Sequence, residues 1–306
     1  MSKISFDKFD ISNYTHCAVV TDSNIAKLYG IAGNNLFVLP QGEAAKCFSC
    51  VEQLCSWLLA RNVGKDDVIV AVGGGSIGDT VGFAASIYKR GAKLLHVPTT
   101  LIAQIDSSIG GKTAIDLDGV KNAVGTFYHA DTLIDTRFLN TLNSSQIASG
   151  KGELLKYRML SEQVDAVYNG EIVTDDVIRA CVEYKQSVCD VDFCDGGIRH
   201  RLNFGHTVGH AMELEMQLPH GIAVANGVYY ETLLALRLGK VSQSYADKWM
   251  SEAASQFAIY PLTTQIVNNM LTDKKNANGM VCFALPDKFA DVYLTIEQVQ
   301  QLLGND

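Results

Sequence analysis

In the run Asp67–Val72 every position from Val68 to Val72 is apolar, and Gly73, Gly74 and Gly75 follow at once, with Gly78 three residues on. A strand without polar alternation has both faces covered, which is the condition of a parallel sheet flanked by helices. Such a sheet needs strands that alternate with helices along the chain. The neighbouring segments supply that alternation. His16–Asp22, Asn35–Pro40 and Ala92–Pro98 are short β-rich runs bounded by turn residues, while Glu43–Ala60 and Gly78–Tyr88 carry helical spacing. From about Ser144 the texture changes. Helical spacing dominates in "GELLKYRMLSEQVDAVY", "TDDVIRACVEYKQSVC", "GHAMELEM" and "NGVYYETLLALRL", and near the end only "MVCFAL" reads as a strand. The expected organisation is an α/β domain over residues 1–140 and an α-helical domain over residues 141–306.

Composition narrows the function. With 47% hydrophobic and 19% charged residues, the chain can bury a substantial core. A net charge of −8 and no Lys/Arg-rich run argue against nucleic acid and anionic membrane surfaces as partners. No apolar run reaches the length of a membrane span, which needs about 18 residues. The first residues, "MSKISFDKFDISNY", lack the apolar core of a signal peptide, so a cytoplasmic location is expected. Cys47 and Cys50 form a C-x-x-C with no second pair at zinc-ribbon spacing. They are expected to be small core-facing groups in a reducing compartment, with Cys55 on the same helix pattern.

Three sets of residues carry chemistry. Gly73, Gly75 and Gly78 fit G-x-G-x-x-G between a strand and a helix, where backbone amides approach a pyrophosphate. No acidic residue lies between Thr80 and Gln104 to meet a ribose, so Asp22, at the end of an earlier strand, is the alternative. His206 and His210 stand four apart on one helix face, with His220 after a proline and Glu153 on another helix. Two or three histidines with one carboxylate suit a catalytic zinc. Lastly, Arg90, Lys112, Lys121, Lys156, Lys185, Arg199, Lys274 and Lys275 lie mostly among glycines, histidines and apolar residues. "GGKTAI" and "DGVKNAVG" place lysines in what read as glycine-rich loops, an arrangement that holds anions.

With these residues in place, the sequence resembles the 3-dehydroquinate synthases of the sugar phosphate cyclase group. The ordered motifs are "PQGEAAK", "GGGSIGD", "PTTLIAQIDSSIGGKTAI", "KNAVGTFY", "GELLKY", "GIRHRLNFGHTVGHAME" and "HGIAVANG". The resemblance implies an N-terminal Rossmann-like NAD domain and a helical metal-binding domain. It implies NAD held by Asp22, Glu43, Lys46, Gly74, Gly75, Ser76, Asp79, Thr99, Thr100, Asp106 and Lys121. It implies zinc, or cobalt in its place, on Glu153, His206 and His220, with His210 a catalytic group beside the metal. Substrate would meet Asp106, Lys112, Asn122, Lys156, Lys185, Arg199, Asn203 and one of Lys274 and Lys275, with Arg90 supplied by a neighbouring subunit of a homodimer. The implied reaction converts 3-deoxy-D-arabino-heptulosonate 7-phosphate to 3-dehydroquinate and phosphate, in the shikimate pathway. An acidic protein with a cationic cleft is then no contradiction, because the local field acts on the substrate.

The sequence departs from the family pattern at Ile222, where glutamate is common, and at Arg158, where glycine is usual. Cyclases making an inosose or a valiolone, polyol dehydrogenases and non-catalytic NAD-binding proteins remain the alternatives. The metal site is expected to be catalytic rather than a structural staple, so that a Glu153→Ala chain should still fold.

Overall fold

The structure, a computed structural model, describes residues 2–170, 172–272 and 276–304. It divides into two compact units, residues 1–142 with 185–193, and residues 143–184 with 194–306. The boundary expected at residue 140 would leave Lys185–Phe193 with the helical half, whereas these residues group with the first unit.

The first unit opens with β1 (Ile4–Phe6), β2 (Ala18–Asp22), α1 (Ser23–Tyr29), β3 (Leu36–Leu39) and α2 (Phe48–Ala60). It continues with β4 (Val68–Gly73), α3 (Gly75–Ile87), β5 (Lys93–Pro98), β6 (Lys112–Leu117), β7 (Val120–Phe127) and β8 (Asp131–Ile134). Six strands form one sheet in the order β1-β8-β5-β4-β2-β3, and every neighbouring pair is parallel. Alternate strand residues feed two cores. Val20, Ile69 and Ala71 pack with Leu54, Leu58 and Val81 of the helices on one face. Val19, Val70 and Val72 pack with Ile25 and Phe138 on the other. Burial of both faces is why the β4 sequence shows no polar alternation.

The second unit holds α4 (Ser144–Leu160), α5 (Glu162–Val167), most of α6 (Asp175–Val191), α7 (His206–Met216), α8 (His220–Arg237), α9 (Gln243–Gln256) and α10 (Thr264–Asn269). A small antiparallel pair, β9 (Val281–Leu285) and β10 (Ala290–Leu294), and α11 (Ile296–Leu303) complete it. Local signals set the helix starts. Asn143 and Gln146 form a reciprocal capping box at α4, and Thr295 and Gln298 do the same at α11. The α/β first unit and largely helical second unit are the architecture expected. Among the described residues, no helix is long and apolar enough to cross a membrane.

Three expectations are corrected. Glu43–Ala60 is not one helix: a short turn, Gly42–Ala45, is separated by Lys46 and Cys47 from α2. The lysine-bearing segments "GGKTAI" and "DGVKNAVG" are not loops but the antiparallel hairpin β6–β7, turning at Asp118 and Gly119. A second strand, β10, accompanies "MVCFAL". Arg158 has a place of its own in the second unit. Its guanidinium meets Asp165 at 2.8 Å and Glu252 at 2.6 Å, and lies over the rings of Tyr168 and Trp249.

In the second unit His200 Nδ1 lies 2.7 Å from Asp291 Oδ2. Burial opposes its protonation, but the bond to Asp291 and its charge prevail and raise the imidazole above its ordinary 6.5. A group whose folded pKa is raised stabilises most below its unfolded value and loses that contribution as pH climbs through the folded one. Wild-type stability should therefore fall from pH 6.5 upward relative to Asp291→Asn. Urea midpoints measured across that range should converge at alkaline pH. A constant gap between the two proteins would remove His200 from the pH response.

Candidate functional site

In the first unit the glycine loop sits where β4 ends and α3 begins. Thirteen residues long, α3 presents its amino end beside Gly74 and Gly75. A Cβ on Gly74 would stand 3.0 Å from Thr100 Cγ2, and one on Gly75 would stand 3.1 Å from Ser107 Oγ. The missing side chains leave the backbone open, and the loop lines a narrow cleft with Pro98, Ala103 and Ser107. A helix amino end with bare backbone at its first turn fits an anionic pyrophosphate.

Around that loop the fold assembles distant residues. Ser76 Oγ donates to Glu43 Oε1 at 3.0 Å. Lys46, only 5% exposed, donates to Asp79 Oδ2 at 2.7 Å and to Asn122 Oδ1. Burial raises the Asp79 carboxyl, and the Lys46 charge works against that rise. Asn122 holds a left-handed backbone, φ 54°, and its N–H donates to Asp116 Oδ1 at 2.8 Å. Lys112 and Lys121 stand exposed on the hairpin. Thr99 is buried, and Thr100 Oγ1 accepts from Ala103 N–H at 3.3 Å. Asp22 is already employed: its Oδ1 caps α1, accepting from Asn24 and Ile25 N–H at 2.8 and 2.9 Å.

Asp106 lies in a π-helical turn, Ala103–Ser107. Such a widened turn often marks a functional position. Lys185 Nζ reaches Asp106 twice, at 2.9 Å to Oδ1 and 2.6 Å to the backbone carbonyl. Arg90 is exposed in the turn before β5, at the amino end of that strand. Lys89, Arg90 and Gly91 all have positive φ, at 48°, 64° and 117°. Two non-glycine residues in succession there are uncommon.

In the second unit, Glu153, His206 and His220 offer one ligand atom each, all within 4.8 Å of one another. Glycines make this approach possible. Gly152 and Gly221 stand beside Glu153 and His220 in sequence, and a Cβ on Gly152 would lie 1.8 Å from Gly221 O. A Cβ on Gly221 would lie 1.7 Å from Ser149 O. Only glycines let α4 and α8 come this near. Gly221→Ala must therefore push the helices apart and weaken metal binding, which metal-dependent change in melting temperature would register. An unchanged metal-induced shift would refute the link.

The polarity of the cluster calls for a cation. His206 Nε2 faces Glu153 Oε1 at 3.3 Å and His220 Nε2 faces it at 3.1 Å. The outer nitrogens are engaged: His206 Nδ1 with Phe204 O at 3.1 Å, His220 Nδ1 with Glu213 Oε2 at 3.0 Å. With both Nδ1 atoms donating outward, neutral rings turn two lone pairs inward upon a carboxylate. Three acceptors then converge, and a divalent ion resolves them. Burial lowers His206 to about 4. Burial also disfavours protonated His220, but Glu153 and Glu213 override it and hold that ring at about 10, a proton standing where an ion's charge belongs. Two imidazoles and one carboxylate leave a coordination position open, as catalytic zinc requires.

Lys156 lies 2.6 Å from Glu153 Oε2, with the pair 1% and 0% exposed. His210 is exposed, its ring 5.3 Å from that of His206, and stands outside the ligand set. Arg199 is buried and Asn203 half-buried in the turn Ile198–Asn203 that leads into α7. Lys274 and Lys275 lie outside the described residues.

Two further carboxylates, Glu213 and Glu231, support the site. Glu213 extends the His206–His210 face by helical spacing and could have been found that way. Buried Glu231 accepts from Gly205 N–H at 2.7 Å and Val208 N–H at 3.1 Å. It satisfies the open amides at the start of α7 and so holds His206. No local pattern announces that role.

The 3-dehydroquinate synthase N-terminal family matches residues 36–149, and the C-terminal family of the same name matches residues 150–276. A 3-dehydroquinate synthase of Alkaliphilus metalliredigens is 35% identical over 93% of this chain and 88% of its own length. One of Shewanella loihica is 36% identical over 90% and 85%. A 2-deoxy-scyllo-inosose synthase, solved with carbaglucose-6-phosphate, NAD+ and Co2+, superposes with a TM-score of 0.82 at 23% identity, covering 98% of this chain and 95% of that one. A 2-epi-5-epi-valiolone synthase of Streptomyces hygroscopicus, with NAD+ and Zn2+ bound, gives a TM-score of 0.83 at 23% identity over 99% and 96%. Those two structures establish the shared fold. Matched along both halves and over most of its relatives' length, the chain belongs to the 3-dehydroquinate synthase family.

Proposed function

We propose that this chain is a working 3-dehydroquinate synthase. It converts 3-deoxy-D-arabino-heptulosonate 7-phosphate to 3-dehydroquinate and phosphate, acting in the cytoplasm with NAD and one divalent ion, zinc or cobalt. The observation that carries this reading is the family match through both halves at 35% identity. The donor sets described above fit both groups. When bound, NAD takes up and returns hydride, and the metal acts as Lewis acid on the substrate hydroxyl.

The chain's own residues then have distinct tasks. The Gly73–Asp79 segment with Thr99 and Thr100 cradles the dinucleotide, and Glu43, Asp22 and Lys121 complete its contacts. Lys46, fixed by Asp79, holds Asn122 in place. Lys112, Asn122 and Arg90 stabilise the departing phosphate. Lys185, presented by Asp106, and Arg199 hold the carboxylate, with Asn203 beside them. Lys156 balances Glu153, and His210 handles a proton beside the metal. One of Lys274 and Lys275 joins the substrate set. Arg90 serves the site of a second subunit, which makes the active form a homodimer.

The deciding experiment supplies substrate in large excess over NAD and follows phosphate. Release should run for many rounds per NAD with no matching accumulation of NADH. NADH rising in step with substrate consumed would instead assign a polyol dehydrogenase. Chelation should stop the reaction, and added zinc or cobalt should restart it. Full turnover by protein shown metal-free would defeat the assignment of Glu153, His206 and His220.

A further inference from the structure

The C-x-x-C motif, Cys47 and Cys50, takes no part in the reaction above. Lys46 and Cys47 interrupt the expected long helix, so Cys47 becomes the residue that caps α2, in an extended conformation with φ −140° and ψ 158°. Cys50 lies three residues on, in the first turn, 5% exposed against the half-buried Cys47. Both thiols point at one acceptor: Cys47 Sγ is 3.8 Å and Cys50 Sγ 3.7 Å from Ala44 O. Ala44 belongs to the turn Gly42–Ala45, which carries Glu43 and leads directly into Lys46. The two S–H groups therefore tie that turn to the start of α2.

We propose that Cys47 and Cys50 are an oxidisable pair, closed to a disulfide by peroxide, and that closure releases the turn bearing Glu43 and Lys46. The groups are unequal in the way such a pair needs. The Ser49 hydroxyl, 3.1 Å from Cys47 Sγ, lowers the Cys47 thiol, and the amino end of a helix favours a thiolate there. Burial, reinforced by Cys47, pushes Cys50 up to about 11, keeping it a thiol. The Cys47 thiolate attacks hydrogen peroxide, forming a sulfenic acid and, with one proton taken up, releasing water. Cys50 sulfur then attacks Cys47 sulfur, its proton leaves with the hydroxyl as a second water, and the S–S bond forms. Two thiols are oxidised and one peroxide is reduced to two waters. Neither sulfur then has a proton to donate to Ala44 O. Because Glu43 and Lys46 belong to the cofactor site in the function proposed above, and the inference rests on that reading here, oxidation should also weaken NAD binding.

The test uses the full chain, reduced or exposed to hydrogen peroxide, then alkylated and digested. The expected peptide holds Cys47 and Cys50 unalkylated and short of two hydrogens. It should be absent from Cys50→Ser, which instead leaves a dimedone-reactive Cys47. Amide hydrogen exchange over residues 42–51 should quicken on oxidation and recover with dithiothreitol. NAD affinity by calorimetry should fall severalfold and recover likewise. Alkylation of both thiols after peroxide, or a lone sulfinate at Cys47, overturns the pair. A linked peptide with unchanged exchange overturns the release of the turn. A reduced chain that does not bind NAD overturns the functional reading alone, because linkage and exchange are measured without NAD.

Discussion

Glu153→Ala should lose divalent metal and turnover together, and should also lose stability. A catalytic site that is not a structural staple still allows a Glu153→Ala chain to fold. The structure adds an expected cost in stability, because Glu153 is 0% exposed and its partner Lys156 1%. Removing the carboxylate strands a buried ammonium, a change that costs about 3–5 kcal/mol. Urea unfolding should show a loss of that order, read at unchanged slope. A double variant, Glu153→Ala with Lys156→Met, should recover much of the stability and none of the metal. If Glu153→Ala is as stable as wild type, the pair is not the buried unit described here. If elemental analysis finds the ion still bound, the ligand assignment fails.

The second large effect concerns Arg90 and Lys112. Each alanine variant should lose turnover by an amount corresponding to about 3–4 kcal/mol, as expected for a charge contact made to a leaving phosphate in the transition state. The loss should appear in kcat more than in KM. Arg90 stands at the amino end of β5, while Thr99, Thr100 and Asp106 follow its carboxyl end. Ligands of parallel sheets bind beyond the carboxyl ends of strands. At about 3.3 Å per residue, β5 separates its two ends by roughly 20 Å, beyond an arginine's reach. The phosphate contact proposed for Arg90 would then have to be made in a second subunit. Unfolding the two variants together and refolding them should make half the dimers mixed, each with one intact site. Activity should return to about one quarter of wild type, as two-fold symmetry dictates. Mixed dimers that form and stay inactive would return Arg90 to its own subunit or remove it from the site.

The features legible in the sequence are those written in local spacing. The apolar run ending at Gly73 requires a strand covered on both faces, and Val70 and Val72 do face one core while Ile69 and Ala71 face the other. Helical spacing puts His206 and His210 on one face. Glycine content marks the loop before α3. The hairpin β6–β7 was not legible, because β7 is exposed along most of its length and so shows no hydrophobic period. Nor was the break at Lys46–Cys47, where helix-forming residues continue on both sides. What tertiary structure alone decides is which charges meet. Lys46 finds Asp79 and Asn122 across 33 and 76 residues of chain, and Glu153 finds His220 across 67. Glu231 reaches the open amides of α7 from 26 residues beyond Gly205. A buried charge must be paired wherever the fold supplies a partner. Local sequence records the charge, and only the packing of sheet and helices determines its partner.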